Sequence, residues 1–511
     1  MTHPVLTHSF LVRTMELNDD VSQYETIQQA CFYALMVWLV LEVLFALSVY
    51  FMIVPGLQKL RAPPPFHSNI VEMMKRTFDE VKLLKSYTFE MYVSGFCNGA
   101  KFEDICLENF RSFLAWGMFH KHLKDLTLVE ADDVEDVLAH IDKIHPELRN
   151  LKPGFNPAVS HCALTLEPIP WIHRPLFMYV MVGISETLAN AVFLRACGFH
   201  SLELDGTHYW YKQQGCNNRN TNALSSDGTE PMVFLHGIST GWMLYLHLVT
   251  ALGKNRTLLL VDVNAIKIKS LNFDMPTPKQ FADRVSRILD RHNIARASFV
   301  GHSFGSVTAG WFVRYFPTRV SHLTLIDPVT ILLSFPEVAY NFLYRPPTKF
   351  TEWVIHLAAS REITVSHALR RHFWWYNNAL WLEDVPEHIG VVVGVSANDE
   401  IIAPAAVFEY SNNCRQKRLQ ARRAGGKSIT AHATVETRRM TRSMSRPLLE
   451  GEEETEQDTS RKGEVTAKPP IAMIETVLWE NYSHGQILLP TEAQKLFVQM
   501  AHNNEKIGSV Y

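Results

Sequence analysis

The stretch Ala297-Ser-Phe-Val-Gly-His-Ser-Phe-Gly-Ser306 decides the fold of this 511-residue chain. It contains the pentapeptide Gly301-His302-Ser303-Phe304-Gly305, which joins a short apolar run to a helical pattern beginning near Val307. In a G-x-S-x-G sequence between a strand and a helix, the serine occupies a sharp turn, and the glycines leave room for the neighbouring chain. The N-terminus of the helix then stabilises negative charge beside the serine. This stretch therefore predicts a nucleophilic serine at the end of a strand.

Other apolar runs have the length of strands and are separated by turns and by helical patterns such as Pro278–His292 and Val307–Phe316. With Ala297–Gly301, the predicted strands are Met232–Leu235, Leu258–Val263, Leu323–Ile326, Ile389–Val395 and Met473–Leu478. Strands that alternate with helices favour a mostly parallel sheet covered on both faces. The predicted fold class is therefore α/β.

Ser303 is a poor nucleophile by itself and needs a histidine base, which in turn needs an orienting acid. When the nucleophile is a serine of this kind, the order along the chain is serine, acid, histidine. His484, in ENYSHGQIL, and Asp399, in ANDEIIAP, both follow predicted strands, so they lie where parallel sheets carry their sites. Asp327, at the end of an earlier strand, and Glu400 are alternatives for the acid. We predict Ser303, Asp399 and His484 as the catalytic residues.

The reaction also needs N–H groups that stabilise a developing oxyanion. Phe234-Leu-His236-Gly237-Ile238 ends an early strand with a tight turn. The amide of Ile238 or of Ser239, together with that of Phe304, is predicted to form this oxyanion hole. Each such donor contributes about 3–4 kcal/mol at the transition state. No metal and no organic cofactor is needed for this chemistry.

From roughly Gly198 to Ala501 the chain resembles the α/β-hydrolase superfamily. The segments that carry the resemblance are FLHG, GHSFGS, LTLIDPV, ANDEII and YSHG. The chain is also similar to membrane-anchored hydrolases of lower eukaryotes, of the AB-hydrolase-1 type, in PEVAYNFLYRPP and FWWYNNALWLEDVP. The resemblance implies an eight-stranded, mainly parallel sheet in a domain over 198–503, with a helical cap after the sixth strand. It also implies an esterase- or lipase-like activity. The chain departs from this pattern in a long insert between Asp399 and His484.

The expected cap, about 329–386, is rich in aromatic residues. They favour either a self-packed core or an apolar roof and lipid-facing surface. The insert, about 412–470, has a basic run followed by an acidic cluster and few apolar residues, so we expect a disordered segment. A basic tether for anionic lipid is the alternative.

Phe32–Val54 is an almost continuous apolar run, long enough to cross a bilayer, with a single charge at Glu42. The favourable free energy of inserting its roughly fourteen Leu, Ile, Phe and Val residues outweighs the cost of inserting that charge. We predict an N-terminal tail over 1–30, a transmembrane helix over 31–55 and a helical adaptor over 62–197. A weaker apolar run, 176–196, favours a second span, an interfacial helix or a helix packed on the next domain.

Basic residues after the first span predict that the hydrolase domain lies in the cytosol, on an endomembrane such as the endoplasmic reticulum. The whole chain has 49 Lys and Arg against 52 Asp and Glu, so no strong attraction to nucleic acid is expected. Its seven scattered cysteines, without C-x-x-C spacing, favour neither a disulfide scaffold nor a zinc site.

We therefore expect a membrane-anchored serine hydrolase acting on lipid-like carboxylic esters. The alternatives are an acyltransferase that uses the same acyl-enzyme, or a non-catalytic scaffold that binds lipid or protein. The sequence does not identify a protein partner.

Overall fold

The computed structural model describes residues 5–65, 69–214, 230–254, 256–268, 271–423, 471–492, 494–495 and 497–498. The part before the sheet is helical. Its helices are α1 (Val5–Ser48), α2 (Val54–Leu57), α3 (Ile70–Leu83), α4 (Phe89–Phe96), α5 (Leu107–Phe119), α6 (Leu128–Ile144) and α7 (Leu176–Ala189). The π-helical segments Val49–Ile53 and Asn190–Leu194 join α1 to α2 and extend α7.

The second part of the chain forms one eight-stranded sheet in the order β1-β2-β4-β3-β5-β6-β7-β8. The strands are β1 (His200–Leu204), β2 (Thr207–Lys212), β3 (Met232–Leu235), β4 (Leu258–Val261), β5 (Ala297–His302), β6 (Val320–Ile326), β7 (Gly390–Ser396) and β8 (Ile474–Trp479). All neighbours from β4 to β8 are parallel, whereas β1 with β2 and β2 with β4 are antiparallel. Helices α8 (Leu246–Leu252), α9 (Pro278–Arg291) and α10 (Phe304–Tyr315) connect the central strands.

The six predicted strands are present within a few residues of their predicted limits, and the eight-stranded sheet is confirmed. The antiparallel hairpin β1–β2 was not among the predicted strands. Asp205-Gly206 joins the two strands, and both residues have positive φ, 50° and 72°. An Asp-Gly pair is favoured in two-residue hairpin turns because it tolerates positive φ, so this dipeptide was a readable signal for the hairpin.

The cap lies between β6 and β7 and packs directly on the helical region. It contains α11 (Pro336–Ala339), α12 (Phe350–Ile355), α13 (Ile363–Arg371) and α14 (Trp375–Asn378), with π-helical Tyr340–Tyr344 and His356–Ser360. Arg76 of α3 pairs with Asp384 at 2.8 Å, and the Trp375 indole N–H donates to the carbonyl of Gly117 at 2.7 Å. One cluster of buried apolar side chains runs through both parts. The helical region is thus integral to the fold, and its role as a membrane-proximal adaptor stays a prediction.

The start of the predicted disordered insert is helical. Helix α15 (Pro404–Arg423) includes residues 412–423, so the prediction of disorder is wrong for these residues. These residues are helical because α15 packs against the segment that leads into β7. Arg418 is buried and donates to the carbonyls of Val385 and Ile389 in that segment, at 2.7 and 2.9 Å. The rest of the predicted insert, residues 424–470, lies outside the described residues.

Candidate active site

Ser303 occupies the turn between β5 and α10, as the pentapeptide predicts. Its backbone has φ 52° and ψ −120°, a conformation that costs a non-glycine residue about 1–3 kcal/mol. Close packing maintains the turn: a Cβ on Gly305 would lie 2.0 Å from the carbonyl oxygen of Leu235, and one on Gly301 would lie 2.4 Å from that of Gly305. The pentapeptide is therefore wedged against the end of β3, and its glycines cannot be replaced without moving the main chain.

Ser303, His484 and Asp399 form a continuous chain of hydrogen bonds at the carboxyl edge of the sheet. The His484 Nε2 atom lies 2.9 Å from Ser303 Oγ, and its Nδ1 lies 2.6 Å from Asp399 Oδ2. The N–H groups of Ile401 and Ile402 donate to the other oxygen of Asp399 at 2.7 and 3.1 Å, which fixes the carboxylate. The structure thus brings together three side chains that the sequence separates by up to 181 positions.

The two alternative acids lie close to His484 but contact other groups. Asp327 accepts hydrogen bonds from the Gly485 N–H at 2.8 Å and from both the N–H and the hydroxyl of Ser396. Glu400 accepts from the Ser483 hydroxyl at 3.0 Å. Asp327, Asp399 and His484 converge within 4.8 Å, a spacing that a metal ion would also allow. Because N–H and hydroxyl donors already face both aspartates, this cluster fits a hydrogen-bonded dyad better than a metal ligand set.

The acidic surroundings favour a charged imidazole at His484. Burial alone would lower its pKa, but the charge and hydrogen bond of Asp399, with smaller contributions from Asp327 and Glu400, raise the pKa of His484 to about 9. Burial also raises the pKa of Asp327, while the nearby charge of His484 opposes that rise. The site therefore stabilises the imidazolium that forms when a histidine accepts a serine proton.

The turn after β3 lies against Ser303 and supplies the expected N–H groups. A Cβ on Gly237 would be 2.8 Å from that of Ser303, so the two main chains almost touch. The Ser239 N–H donates to the carbonyl of Ile266 at 3.4 Å and is engaged. Within the described residues, the N–H groups of Ile238 and Phe304 have no acceptor. Of the two predicted alternatives, Ile238 is thus the free donor.

Tyr245 is a site residue that the sequence reasoning missed. Its hydroxyl accepts a hydrogen bond from the Gly237 N–H at 2.8 Å and lies 2.9 Å from Nδ1 of His302. Burial, with the nearby charges of His484 and His236, keeps the pKa of His302 well below its usual value, so its ring is neutral where it meets the tyrosine hydroxyl. Tyr245 therefore connects the turn after β3 with the strand end that leads into Ser303. No motif includes this tyrosine, which precedes α8.

A second Ser-His-Asp chain of hydrogen bonds lies at the edge hairpin. Ser201 Oγ is 2.7 Å from Nε2 of His208, whose Nδ1 is 2.7 Å from Asp262. Ser201 lies inside strand β1 and has no strand-to-helix turn. Asp262 also pairs with Lys267 and accepts from the Trp242 indole N–H. Side-chain distances alone therefore do not distinguish a catalytic site from a structural network.

Comparison with known proteins gives a family match over the centre of the sheet. Residues 230–389 match the family model described as alpha/beta hydrolase fold. This segment includes Ser303 and ends before Asp399 and His484. A curated relative is the abhydrolase domain-containing protein abhd-5.2 of Caenorhabditis elegans, 29% identical over 129 residues. That match covers 24% of this chain and only 29% of the relative.

Several solved structures resemble the chain at low identity. A putative lipase from Acinetobacter baumannii is 15% identical, with a TM-score of 0.38, covering 64% of this chain and 96% of its own. A membrane phospholipase A described as a bacterial virulence factor is 12% identical, with a TM-score of 0.36, covering 65% and 98%. The carboxylesterase CesB of Bacillus subtilis is 12% identical, with a TM-score of 0.33, covering 63% and 97%. These sequence identities and TM-scores are too low to assign the activities of those proteins to this chain.

The matched segment contains the central strands β3 to β6 and the sharp turn that carries Ser303. The sheet around it has eight strands, with an antiparallel first hairpin and a parallel remainder. This chain therefore has an α/β-hydrolase fold, and its residues 230–389 match the model of that family.

Proposed function

We propose that this protein is a membrane-attached serine hydrolase that cleaves carboxylic esters with hydrophobic acyl groups. The observation that supports this function best is the hydrogen-bonded chain from Ser303 through His484 to Asp399, with distances of 2.9 and 2.6 Å. It has the geometry of a nucleophile, a base and an orienting acid. It also lies beside the free N–H groups of Ile238 and Phe304.

In the proposed reaction, Ser303 Oγ bonds to the acyl carbon while its proton passes to His484 Nε2. The N–H groups of Ile238 and Phe304 stabilise the oxyanion of the tetrahedral intermediate. The intermediate collapses, the ester C–O bond breaks, and His484 returns the proton to the leaving alcohol. Water then attacks the acyl-enzyme by the same steps and releases the acid. Because the pKa of His484 is raised, its proton-accepting neutral form predominates only in alkaline solution.

Labelling with a fluorophosphonate tests this function, because the probe bonds to activated serines. We expect a single adduct on purified full-length protein, mapped by mass spectrometry to the peptide containing Ser303, and none on Ser303→Ala. Ser201 is an internal control, since its hydroxyl also contacts a histidine but lies within a strand. An unlabelled wild type, or labelling that persists in Ser303→Ala, would exclude the proposed nucleophile.

In the part of the chain that the structure describes, two helices are long and apolar enough to cross a bilayer, Thr26–Leu57 and Leu176–Leu194. In the proposed arrangement only the first one crosses. Its Glu42 carboxylate accepts hydrogen bonds from the N–H groups of Leu176 and Phe177 at 2.7 and 2.8 Å and from the Trp38 indole at 3.1 Å. These donors lower the cost of burying the charge, and they hold the start of the second helix at the depth of Glu42, which the proposed arrangement places near the cytosolic surface of the bilayer.

The second helix, α7, is proposed to lie along the membrane surface. Glu186 and Asn190 are buried on its protein side, and Glu186 is 3.6 Å from Lys267 of the sheet domain. Its other side exposes a row of large apolar residues: Phe177, Met178, Met181, Ile184 and Leu188.

Cap helix α12 also exposes apolar side chains. The segment before α7 touches the cap where Arg174 donates to the carbonyl of Leu357. An apolar surface of this extent, continuous with an anchor, is suited to a lipid leaflet. The domain would lie on the cytosolic side, as the flanking charges predict.

Cysteine accessibility tests this membrane contact. We expect Ile184→Cys and Val354→Cys, reconstituted in phosphatidylcholine vesicles, to resist a membrane-impermeant maleimide and to react once detergent is added. Leu128→Cys is the control, because Leu128 is 87% exposed on α6 and should react in both conditions. Peptide mapping separates these adducts from those of the native cysteines. If Ile184→Cys and Leu128→Cys react equally fast in vesicles, α7 does not lie on the membrane.

A further inference from the structure

A cavity with a mainly aromatic lining lies between the helical region and the cap. Most of its lining residues are apolar, and many of them carry aromatic rings. Aromatic rings from the two sides form its principal walls: Tyr92, Phe96 and Trp116 from the helical region, and Phe335, Phe342 and Phe373 from the cap. The cavity therefore exists only because the two parts pack against each other.

Most hydrogen-bonding groups of the larger lining side chains are directed to partners in the wall, whereas Nε2 of His120 and the Ser334 hydroxyl have no partner among the described residues. The Tyr92 hydroxyl donates to the carbonyl of Ser334 at 3.0 Å, and the Trp116 indole N–H donates to the Thr165 hydroxyl at 2.8 Å. The Trp375 indole N–H is bound by the carbonyl of Gly117. Hydrocarbon dominates the remaining surface, so the favourable occupant is an apolar chain.

Two aromatic rings lie between the cavity and the candidate nucleophile. The ring of Phe373, in the cavity lining, lies 5.5 Å from the ring of Phe304, the residue that follows Ser303. Leu333 and Phe335 also line the cavity, in the segment that leaves β6 shortly after Asp327. Ser303 and His484 are not lining residues, so the acyl chain of an ester held at Ser303 would have to pass these two rings to enter the cavity.

We infer that this cavity binds the acyl chain of the substrate and that the helical region supplies one of its walls. This inference rests on the proposed function and extends it to a substrate class, esters of long-chain fatty acids. The helical region then belongs to the substrate-binding part of the enzyme as well as to its fold.

Filling the cavity from its two opposite walls tests the inference. Gly117→Leu adds a side chain from α5, where a Cβ would lie 3.3 Å from the flexible end of Met74, and Ala339→Trp adds one from α11. For p-nitrophenyl esters of increasing acyl length, we expect the ratio of kcat/KM for palmitate to that for butyrate to fall in both variants. Exclusion of two or three methylenes corresponds to a fall of about 15- to 60-fold. Ala139→Leu, on the exposed face of α6, should leave the ratio as in wild type.

The outcomes separate the inference from the proposed function. A wild type without turnover of any ester and without probe labelling would refute the proposed function, and the inference with it. A wild type that hydrolyses butyrate, combined with folded filling variants whose palmitate-to-butyrate ratio does not change, would refute the inference alone. A fall with Ala339→Trp but not with Gly117→Leu would refute the part assigned to the helical region.

A measurement on the wild type covers the case in which the filling variants do not fold. A fluorophosphonate with a hexadecyl chain and a terminal diazirine reacts at Ser303 and is then photolysed. We expect crosslinks to peptides of α4 or α5, which form the far wall. Crosslinks confined to other parts of the chain would show that the acyl chain follows a different path.

Discussion

Replacement of His484 by alanine is expected to lower kcat for a short-chain ester by about 10⁶-fold, since loss of the base leaves Ser303 protonated. The measurement is steady-state hydrolysis of p-nitrophenyl butyrate by the full-length protein. His208→Ala is a matched control, because His208 makes the same kind of contacts with Ser201 and Asp262. We expect its kcat to remain within about threefold of wild type.

The control is informative because the two networks share the serine–histidine–aspartate contacts but differ in the backbone around the serines. Ser303 lies on a strained strand-to-helix turn beside free N–H groups, whereas Ser201 lies within an edge strand. A loss in His208→Ala equal to that in His484→Ala would mean that the edge network participates in the reaction. If His484→Ala kept more than a tenth of the wild-type kcat, His484 would not be the base.

The second large effect is expected for Asp399→Asn, with a loss of kcat of about 10⁴-fold. The N–H groups of Ile401 and Ile402 donate to one carboxylate oxygen and would hold the amide oxygen of the asparagine in that position. Its NH₂ group would then face Nδ1 of His484 and donate to it. The imidazole would carry its proton on Nε2 and could not accept the proton of Ser303. The kinetics of butyrate hydrolysis measure this loss.

Asp327→Asn and Glu400→Gln are the comparison variants, because both acids lie near His484 without bonding to its ring nitrogens. Glu400 contacts the Ser483 hydroxyl, and Asp327 contacts Ser396 and the N–H of Gly485. We expect losses of no more than about tenfold, caused by a less firmly held His484 loop. A larger loss in either variant than in Asp399→Asn would transfer the role of the orienting acid to that residue.

The sequence predicted the parts of the fold that depend on local patterns. The strands β3 to β7 are short, mainly apolar runs buried on both faces of the sheet, and β8 is a partly buried run at its edge, so hydrophobicity marks them. The candidate site was also predictable in outline, because Ser303 has a local turn motif and because Asp399 and His484 follow such runs. The hairpin β1–β2 was not predicted because its strands mix polar and apolar residues and lie at the edge of the sheet. Helix α15 extends to Arg423 because buried Arg418 binds carbonyl groups far away in the chain, which no local pattern reveals.

The amino-acid order by itself thus determined the central strands, the serine turn and a membrane-length apolar helix, since each depends on the residues next to it. The tertiary structure alone decided which acid reaches His484 and which amide near Ser303 is free. It also decided that Tyr245 connects the turn after β3 with the strand end that leads into Ser303, and that the helical region and the cap enclose a cavity. Those features arise from contacts between segments distant in the chain, and packing of the whole molecule determines their distances.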